Sequence, residues 1–469
     1  MKRIVIKGGN PIPPFGEAAR DLRILNKPLW LLQRDLLTRY CRGADEVDSL
    51  EEIPQNREEL LIHRDNLFFN EHLIDAFISQ AKASGHACQI AFSRDDKAIL
   101  YHALPLQEGI KLHPRGHVYV ADLFYYPNGI SEEPQPLVID TEPREMGYYH
   151  IPSYMAPNQG DLIFQVPRRA FLSIENWMHV FMANSPFGVF SMGRIHEQLV
   201  EESWKEKLSV SLATIGHKLN PFAPGWRNNF LASSRLVKIG KNCSIDPTAI
   251  IHGPTIIGNN VTIGAGAVIT NSLIGNNVNI MQGCQVMLSV VSDRCYLPWN
   301  TALFMSSLME NTMIAQLTCL QMCVVGRNTF IGAGNIFTDF HLLNEPLRTY
   351  HNGELVNVEL PVLGSAVGHN CRIGSGFVVY PGRMIGSNST LIYGEPSTVI
   401  SHNVNIAGDG DTELDEFGEP ARTVFVWPHS YDMHTRTIQY QDKQHTGPAE
   451  SLPLSVSESA SVGHRRTSR

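Results

Sequence analysis

Residues 255–280 read TIIGNNVTIGAGAVITNSLIGNNVNI, and an aliphatic residue returns at every sixth position of this stretch except for one shortened step. The recurrence starts at Ile239 and reaches Phe337, and after a break it resumes from Val367 to Leu391. From Ile274 to Val325 the repeat settles at 17 residues, which suits three short strands per turn with one shortened corner. The pattern therefore predicts a three-sided parallel solenoid whose interior is filled by these aliphatic side chains.

Small residues often stand two positions before the aliphatic ones, and glycine follows several of them, where a corner needs unusual backbone angles. Five of the eight cysteines occupy this small-residue position, namely Cys243, Cys284, Cys295, Cys323 and Cys371. Their placement predicts packing rather than metal binding, because the sequence has no Cys-x-x-Cys pair. The whole pattern resembles the hexapeptide repeat of left-handed parallel β-helices.

The first 230 residues follow a different pattern, in which strand-like and helix-like stretches alternate. Strands are predicted at the opening KRIVIK and near Ala87–Phe92 and His117–Leu123, and helices at Leu29–Tyr40, Glu71–Ser84 and Glu197–Lys218. Such alternation is typical of an α/β layer domain. We therefore expect an α/β domain at 1–230, a β-helix at 231–407 and a mostly disordered tail at 408–469, where Ser, Thr, Gly, Pro and His dominate.

Composition narrows the function classes. The 469 residues are 43% apolar and 18% charged, with a formal net charge of -8, which argues against a nucleic-acid partner. No run approaches the roughly 20 apolar residues that span a bilayer, and the N-terminus lacks a secretory signal. These features predict a soluble cytoplasmic protein with free thiols.

The order of an α/β domain followed by hexapeptide repeats resembles sugar nucleotidyltransferases with β-helical tails, above all the bifunctional N-acetylglucosamine-1-phosphate uridylyltransferase/glucosamine-1-phosphate acetyltransferases. Local matches are Asn26–Leu29, Asp65–Leu67, Trp177–Asn184 and, in the coil, Gly326–Gly334 (GRNTFIGAG). The resemblance implies a nucleotidyltransferase-like (Rossmann-like) N-terminal domain, a left-handed parallel β-helix and a homotrimer.

Nucleotidyl transfer needs a glycine-rich turn at the phosphates, a cation and carboxylates that hold Mg²⁺. The resemblance implies substrate binding by Gly8, Gly9, Lys27 and Asn66, and metal binding by Asp65, with Asp122 and Asp140 as candidates for a second carboxylate. The essential lysine of the family falls on Ala19 or Arg20. A cap at the end of a strand remains the alternative role for Asp65.

Acetyl transfer from acetyl-CoA, or from another acyl-CoA, needs a general base. A gapless alignment places the base of the family at Gln316, whose amide cannot accept a proton at neutral pH. The cations that hold the sugar phosphate fall at Val286 and Phe304, and the family's Asn-Tyr pair becomes Asp339-Phe340.

Other hexapeptide acyltransferases carry their histidine on a loop extruded from the coil. The aperiodic segment 338–361 contains His341 and His351, and His341 is the candidate base. His252 on the coil and the tail histidines, His429, His434 and His445, are interpreted as structural or solvated.

Two functions remain open. One is a transferase of sugar-nucleotide or cell-envelope sugar metabolism that acts on a nucleotide sugar or sugar phosphate. The alternative is a noncatalytic pseudoenzyme that binds a sugar nucleotide or serves as an assembly scaffold.

Overall fold

The computed structural model describes residues 1–8, 10–53, 57–130, 133–150, 161–195, 236–341, 346–392, 398–404, 406, 425–426, 429–432 and 437–440. The chain forms two compact units, Met1–Trp427 and Pro428–Arg469. In the second unit, strands His429–Asp432 and Thr437–Tyr440 pair in antiparallel fashion. The predicted helix Glu197–Lys218 and the rest of the predicted tail, apart from Phe425–Val426, lie outside the described residues.

The N-terminal region is built on a mixed sheet of seven described strands. These are β1 (Lys2–Ile6), β2 (Ala44–Val47), β3 (Leu60–Arg64), β4 (Cys88–Ser93), β5 (Ile110–Leu112), β6 (Val118–Tyr126) and β7 (Gln135–Val138). The strand order is β7-β4-β6-β3-β1-β2, with β5 paired to β6. β6 is antiparallel to β3, β4 and β5, whereas the other pairs are parallel. Because β1 and β3 pair in parallel, their carboxyl ends meet at one edge of the sheet.

Three α-helices accompany the sheet: α1 (Leu29–Leu37), α2 (Glu71–Ser84) and α3 (Trp177–Asn184). Helix α2 has the predicted bounds because Asn70 caps its first turn, accepting from the backbone N–H of Leu73, and Gly85 ends it with φ 71°. Helix α1 ends three residues earlier than predicted. Helix α3 is buried along its whole length, and both hydrogen bonds of a capping box fix its start.

Shorter elements complete this region. Four antiparallel pairs join Pro11–Ile12 with Glu17–Ala18, Arg23–Ile24 with Lys27–Pro28, Leu67–Phe69 with Phe171–Ser173, and Pro143–His150 with Asp161–Pro167. Short helical turns cover Ala19–Asp21, Leu50–Glu52, Ile99–Ala103 and Ser185–Phe190.

The second half is a parallel β-helix with three faces, here called the coil. Face 1 consists of Val237–Ile239, Thr255–Ile257, Leu273–Ile274, Val290–Val291, Ser307–Leu308, Val324–Val325, Ala366–Val367 and Met384–Ile385. Face 2 consists of Ser244–Ile245, Thr262–Ile263, Asn279–Ile280, Tyr296–Leu297, Met313–Ile314, Phe330–Ile331, Arg372–Ile373 and Thr390–Ile392, followed by the antiparallel Phe425–Val426. Face 3 consists of Ile250–His252, Val268–Thr270, Gln285–Met287, Ala302–Phe304, Cys319–Gln321, Ile336–Phe337, Val378–Val379 and Val399–Ile400.

The recurring aliphatic residues fill the coil as predicted. Those from Ile257 to Phe337 and from Val367 to Leu391 belong to one buried cluster, whereas Ile239 at the open end is half exposed. All eight cysteines are free, and four of the five in small-residue positions are fully buried in this cluster. The prediction that these cysteines pack inside the coil is confirmed for these four, whereas Cys243 is only partly buried.

Face 1 is covered by the N-terminal region. From Val290 to Met384 its outward-facing positions are apolar or small and almost inaccessible, with exposed fractions of 2% at Val290 and 0% at Val324 and Met384. At the adjoining corner, Met305 and Met322 adopt the left-handed backbone conformation and join the core cluster of the N-terminal region. Methionine accepts this strained conformation here because its side chain is buried.

A charged network fastens the N-terminal region to the edge of face 1. Arg327 binds Glu17 through both terminal nitrogens, at 2.7 and 2.5 Å, and its Nε lies 3.2 Å from Glu310. Arg23 donates to the other oxygen of Glu310 at 2.9 Å, and His369 Nε2 lies 3.1 Å from Glu17. Burial by itself would raise the pKa of Glu17, but His369 and Arg327 outweigh it and hold that pKa below its ordinary value.

Asparagines form a ladder along the corner between faces 1 and 2. Asn311, Asn328, Asn370 and Asn388 all have positive φ, and each amide nitrogen donates to the next amide oxygen at 3.0–3.1 Å. Asparagine tolerates the left-handed conformation better than most residues. Arg294 occupies one rung, with φ 60°.

Candidate functional site

The candidate site lies on face 3, where the segment 338–361 leaves the coil. Five side chains make up what we call the loop-root cluster: Cys319, Gln321, Asp339, His341 and Tyr380. Cys319 and Gln321 flank the inward-facing Leu320, so that both point outward, and Tyr380 follows the inward-facing Val379. Asp339 and His341 come from the first residues of the segment. The cluster therefore joins the coil to the root of the loop.

Asp339 is held by Gln321. The side-chain amide of Gln321 is oriented so that its nitrogen faces the carboxylate, and this nitrogen donates to both oxygens of Asp339 at 2.9 Å. The other polar atom of this amide lies 3.8 Å from the Cys319 sulfur. Burial raises the pKa of Asp339, and its own backbone N–H acts in the opposite direction. Burial also raises the pKa of the Cys319 thiol, with a further contribution from the Asp339 charge.

His341 offers a ring nitrogen with unused hydrogen-bonding capacity. Its Nδ1 is buried and has no hydrogen-bond partner among the described residues. The imidazole meets the ring of Tyr380 edge-on, with ring centroids 6.4 Å apart, and Tyr380 is 39% exposed. A half-buried imidazole at the surface of the coil can exchange a proton with a bound molecule.

The rest of the segment is anchored to the N-terminal region. Strands Arg348–His351 and Glu354–Asn357 form a hairpin, and Trp177 donates its indole N–H to Thr349 Oγ1 at 2.9 Å. Asn176 donates to the carbonyl of Tyr350 at 3.1 Å and lies 3.4 Å from His351 Nδ1. Burial lowers the pKa of His351. His351 therefore helps to anchor the loop to the N-terminal region. We do not assign it the role of general base that the sequence analysis considered for the loop histidines.

The three positions that the gapless alignment gives to the base and the cations of the family differ in their burial and location. Gln316 is half-buried at a corner, where its carbonyl accepts from Gly334 N–H at 3.0 Å. Val286 faces the interior and is 0% exposed, so an arginine cannot stand there. The outward-facing neighbours of Val286 are Gln285 and Met287. Neither Gln285 nor Met287 is positively charged. The second position that the alignment gives to a cation is Phe304, which packs against the core of the N-terminal region.

At the carboxyl edge of the N-terminal sheet, Asp65 and Gly8 meet. Asp65 accepts the backbone N–H of Gly8 through Oδ1 at 2.8 Å, and Arg20 lies 3.5 Å from Oδ2. Asp65 is 1% exposed, and burial raises its pKa. Arg20 is itself paired with both oxygens of Glu46. Ala19, the other position for the family's lysine, is buried in the core.

These residues do not suit the Mg²⁺ that the resemblance implies. One oxygen of Asp65 is used by Gly8, and a guanidinium rather than a second carboxylate faces the other. The described residues contain no group of three or more His, Cys, Asp or Glu arranged to hold a metal ion. Among the candidates for the second carboxylate, Asp122 pairs with Arg64, and Asp140 accepts the backbone N–H of Glu142.

The remaining candidates are dispersed. Lys27 is exposed and pairs with Asp35 at 2.7 Å. Asn66 donates to Ser173 Oγ at 3.2 Å, and its Oδ1 is buried without a partner among the described residues. Gly9 lies outside the described residues. His252 is half-buried on face 3, four turns of the coil before Gln321.

Sequence reasoning missed Gln321 and Tyr380. The available signal was their position: each directly follows an inward-facing aliphatic residue, and both frame the segment that interrupts the repeat. It also missed Glu17 and Arg327, which are separated by 310 residues and show no pattern in the sequence. Among the described helices, none combines the length and the apolar character needed to cross a membrane.

Comparison with known proteins agrees with the predicted architecture of the coil. Residues 236–271, which form its first two turns, match the profile of the bacterial transferase hexapeptide family (six repeats). This match confirms the hexapeptide β-helix. No curated protein matches the chain.

Solved structures similar to the chain include a UDP-N-acetylglucosamine acyltransferase from Campylobacter jejuni, at 13% identity and a TM-score of 0.23, covering 35% of this chain and 70% of that one. The UDP-N-acetylglucosamine O-acyltransferase from Moraxella catarrhalis is 14% identical with a TM-score of 0.21, covering 33% and 69%. The acetyltransferase domain of PglB from Neisseria gonorrhoeae is 17% identical with a TM-score of 0.16, covering 25% and 54%. At these values the likeness says nothing about activity.

Proposed function

We propose that the chain transfers an acyl group from a thioester such as acetyl-CoA to a small acceptor bound at the loop-root cluster. The observation that carries the proposal is His341, whose Nδ1 is buried without a partner among the described residues at the surface of face 3. The matched profile at 236–271 describes transferases, which supports this class of reaction. Free thiols at all eight cysteines suit a reducing compartment, so the cytoplasm stays the predicted location.

Acyl transfer requires that the attacking nitrogen or oxygen lose a proton as it bonds to the thioester carbon. His341 is the group we assign to take that proton, as the sequence predicted, because Gln316 cannot. A positioned base contributes roughly 10²–10⁴-fold to such a step. The ring of Tyr380 limits how His341 can turn, which favours a defined direction for proton transfer.

Thiol release from acetyl-CoA tests this proposal. His341→Ala should lower kcat by about a hundredfold without changing the melting temperature by more than a few degrees. The matched control is His252→Ala, because His252 is also half-buried on face 3, and its Nδ1 also lacks a partner among the described residues. Equal rates for His341→Ala and the unchanged protein would contradict the proposal, as would an equal loss in the control.

We propose further that the chain assembles as a homotrimer, as the family resemblance implies. Large apolar side chains are exposed at the corner between faces 2 and 3, with exposed fractions of 51% at Trp299 and 65% at Leu317. Covering such a patch stabilises a symmetric assembly. Light scattering should give three times the mass of the chain, and a monomeric mass would contradict the assembly.

For the N-terminal region we infer a binding or structural role in place of nucleotidyl transfer, as the alternative of a noncatalytic sugar-nucleotide binder or scaffold suggests. The observation that favours this role is Asp65, whose carboxylate caps Gly8 and faces Arg20. A nucleotide sugar should then raise the melting temperature equally with and without Mg²⁺. Release of pyrophosphate from a nucleoside triphosphate and a sugar 1-phosphate would overturn the inference.

A further inference from the structure

The described outward positions of face 3 form two rows beside the loop-root cluster. The two arginines near the cluster, Arg348 and Arg383, lie outside these rows, at the corner that follows Tyr380. One row of outward positions contains Ile250, Val268, Gln285, Ala302, Cys319, Ile336, Val378 and Val399. The second row contains His252, Thr270, Met287, Phe304 and Gln321, and Tyr380 follows in the same register. Neither row includes a lysine or an arginine. The surface on which an acceptor would lie is therefore apolar or neutral outside the cluster itself.

The formal charge that the cluster itself carries is negative. Asp339 is half-buried, and Gln321 gives its carboxylate a neutral amide donor instead of a cation. Its backbone is fixed because its carbonyl accepts from Leu363 N–H at 2.9 Å. A phosphate bound on these rows would lose hydration, find no guanidinium or ammonium partner within them, and be repelled by the carboxylate. A primary amine in its neutral, nucleophilic form would instead find an acceptor for one of its N–H groups.

We propose that the acceptor is a primary amine without a phosphate group, and that Asp339 selects it by accepting a hydrogen bond from its nitrogen. This proposal rests on the proposed acyl transfer at the same cluster. It differs from the nucleotide sugar or sugar phosphate that the family resemblance implies.

The reaction then balances with no further reactant. The amine nitrogen bonds to the carbonyl carbon of the thioester, and the carbon–sulfur bond breaks. The proton lost by the nitrogen passes to His341 and from there to the departing CoA thiolate. The products are an amide and free CoA. Asp339 remains unchanged and acts by binding and orienting the amine, while Gln321 positions Asp339.

The first experiment compares acceptors, using thiol release from acetyl-CoA with glucosamine, glucosamine 1-phosphate and glucose as probes. The proposal predicts that kcat/KM for glucosamine exceeds that for glucosamine 1-phosphate by at least about tenfold and that glucose is inert. A phosphorylated or hydroxyl acceptor used as well as glucosamine would overturn the amine proposal while leaving acyl transfer intact. Absence of turnover with every probe would overturn both.

The second experiment uses Asp339→Asn, which keeps the shape and removes the charge. The amine KM should rise about tenfold or more, while the KM for acetyl-CoA stays the same. The melting temperature at neutral pH should not fall, because a carboxyl whose pKa is raised in the folded state destabilises that state when ionised. An unchanged amine KM, or a lower melting temperature with all kinetic constants altered together, would contradict the role of Asp339.

The third variant, Gln321→Ala, separates positioning from structure. Loss of the amide donor should raise the pKa of Asp339 further and move the acidic limb of kcat/KM to higher pH. The neighbouring titratable groups are Cys319, Cys323, His341 and Tyr380, and burial raises the pKa of both thiols. The same displacement in a Cys319→Ala control, or no displacement in Gln321→Ala, would show that Gln321 does not position Asp339.

Discussion

Faces 1 and 3 of the coil have the same repeat and the same kind of interior, yet their outer surfaces have different roles. Face 1 packs against the N-terminal region, whereas face 3 lies beside the candidate site. The outward positions of face 1, such as Val290 and Val324, are apolar and sealed beneath the N-terminal region. Those of face 3 remain accessible and carry Asp339, His341 and Tyr380 at the root of the loop. The difference teaches that inward positions determine the solenoid, whereas outward positions determine what each face contacts.

The largest difference in stability between the two faces is expected when a charge is introduced on each. Val324→Asp should lower the free energy of unfolding by roughly 3–5 kcal/mol, because the carboxylate would be buried without a partner. Val378→Asp is the matched control, since Val378 takes an outward position on face 3 and is only half-buried. Urea unfolding measures both. Equal losses at the two positions would show that face 1 is not covered as described.

A smaller effect is expected at the edge of face 1, where Arg327 binds Glu17 and Glu310. Arg327→Ala should cost about 1–2 kcal/mol, since the group is partly buried and makes several contacts. The exposed Arg372 of face 2 provides the control, Arg372→Ala. A loss in the control as large as that of Arg327→Ala would show that the network adds nothing to stability.

The same network predicts a pH dependence. The pKa of Glu17 is lowered in the folded state, so its contribution is complete above the ordinary value of 4.5 and is lost as the pH falls through the folded value. Thermal melting from pH 7 to pH 3 should show a smaller acid-linked loss in Arg327→Ala than in the unchanged protein. An identical pH dependence would contradict the coupling.

The smallest change in stability is expected at the corner between faces 1 and 2, where Arg294 stands in the asparagine ladder. Arg294→Asn should raise the free energy of unfolding by about 0.5–1 kcal/mol, because asparagine tolerates the left-handed backbone better and can replace the hydrogen bond that Arg294 Nε donates to Asn311 Oδ1 at 2.5 Å. Asn311→Ala should have the opposite effect. A lower melting temperature for Arg294→Asn would show that the arginine side chain has a role outside the ladder.

The coil was predictable because one side chain in six must fill a narrow interior, and that requirement appears directly as a period. The helix at Glu71–Ser84 was predictable because Asn70 and Gly85 mark its ends locally. The covering of face 1 was not, although its apolar outward residues were visible, because no local rule says which element will pack on them. Gln321 and Asp339 meet only when successive turns stack, and the inward orientation of Val286 likewise depends on its place in a turn.

The site on face 3 is tested most directly by the reactivity of Cys319, which is half-buried within the loop-root cluster. Iodoacetamide labelling, read by mass spectrometry with and without millimolar acetyl-CoA, should show slower modification of Cys319 in its presence. Cys243, also half-buried but at the far end of the coil, should react at an unchanged rate. A Cys319 rate that acetyl-CoA leaves unchanged would contradict binding at the root of the loop.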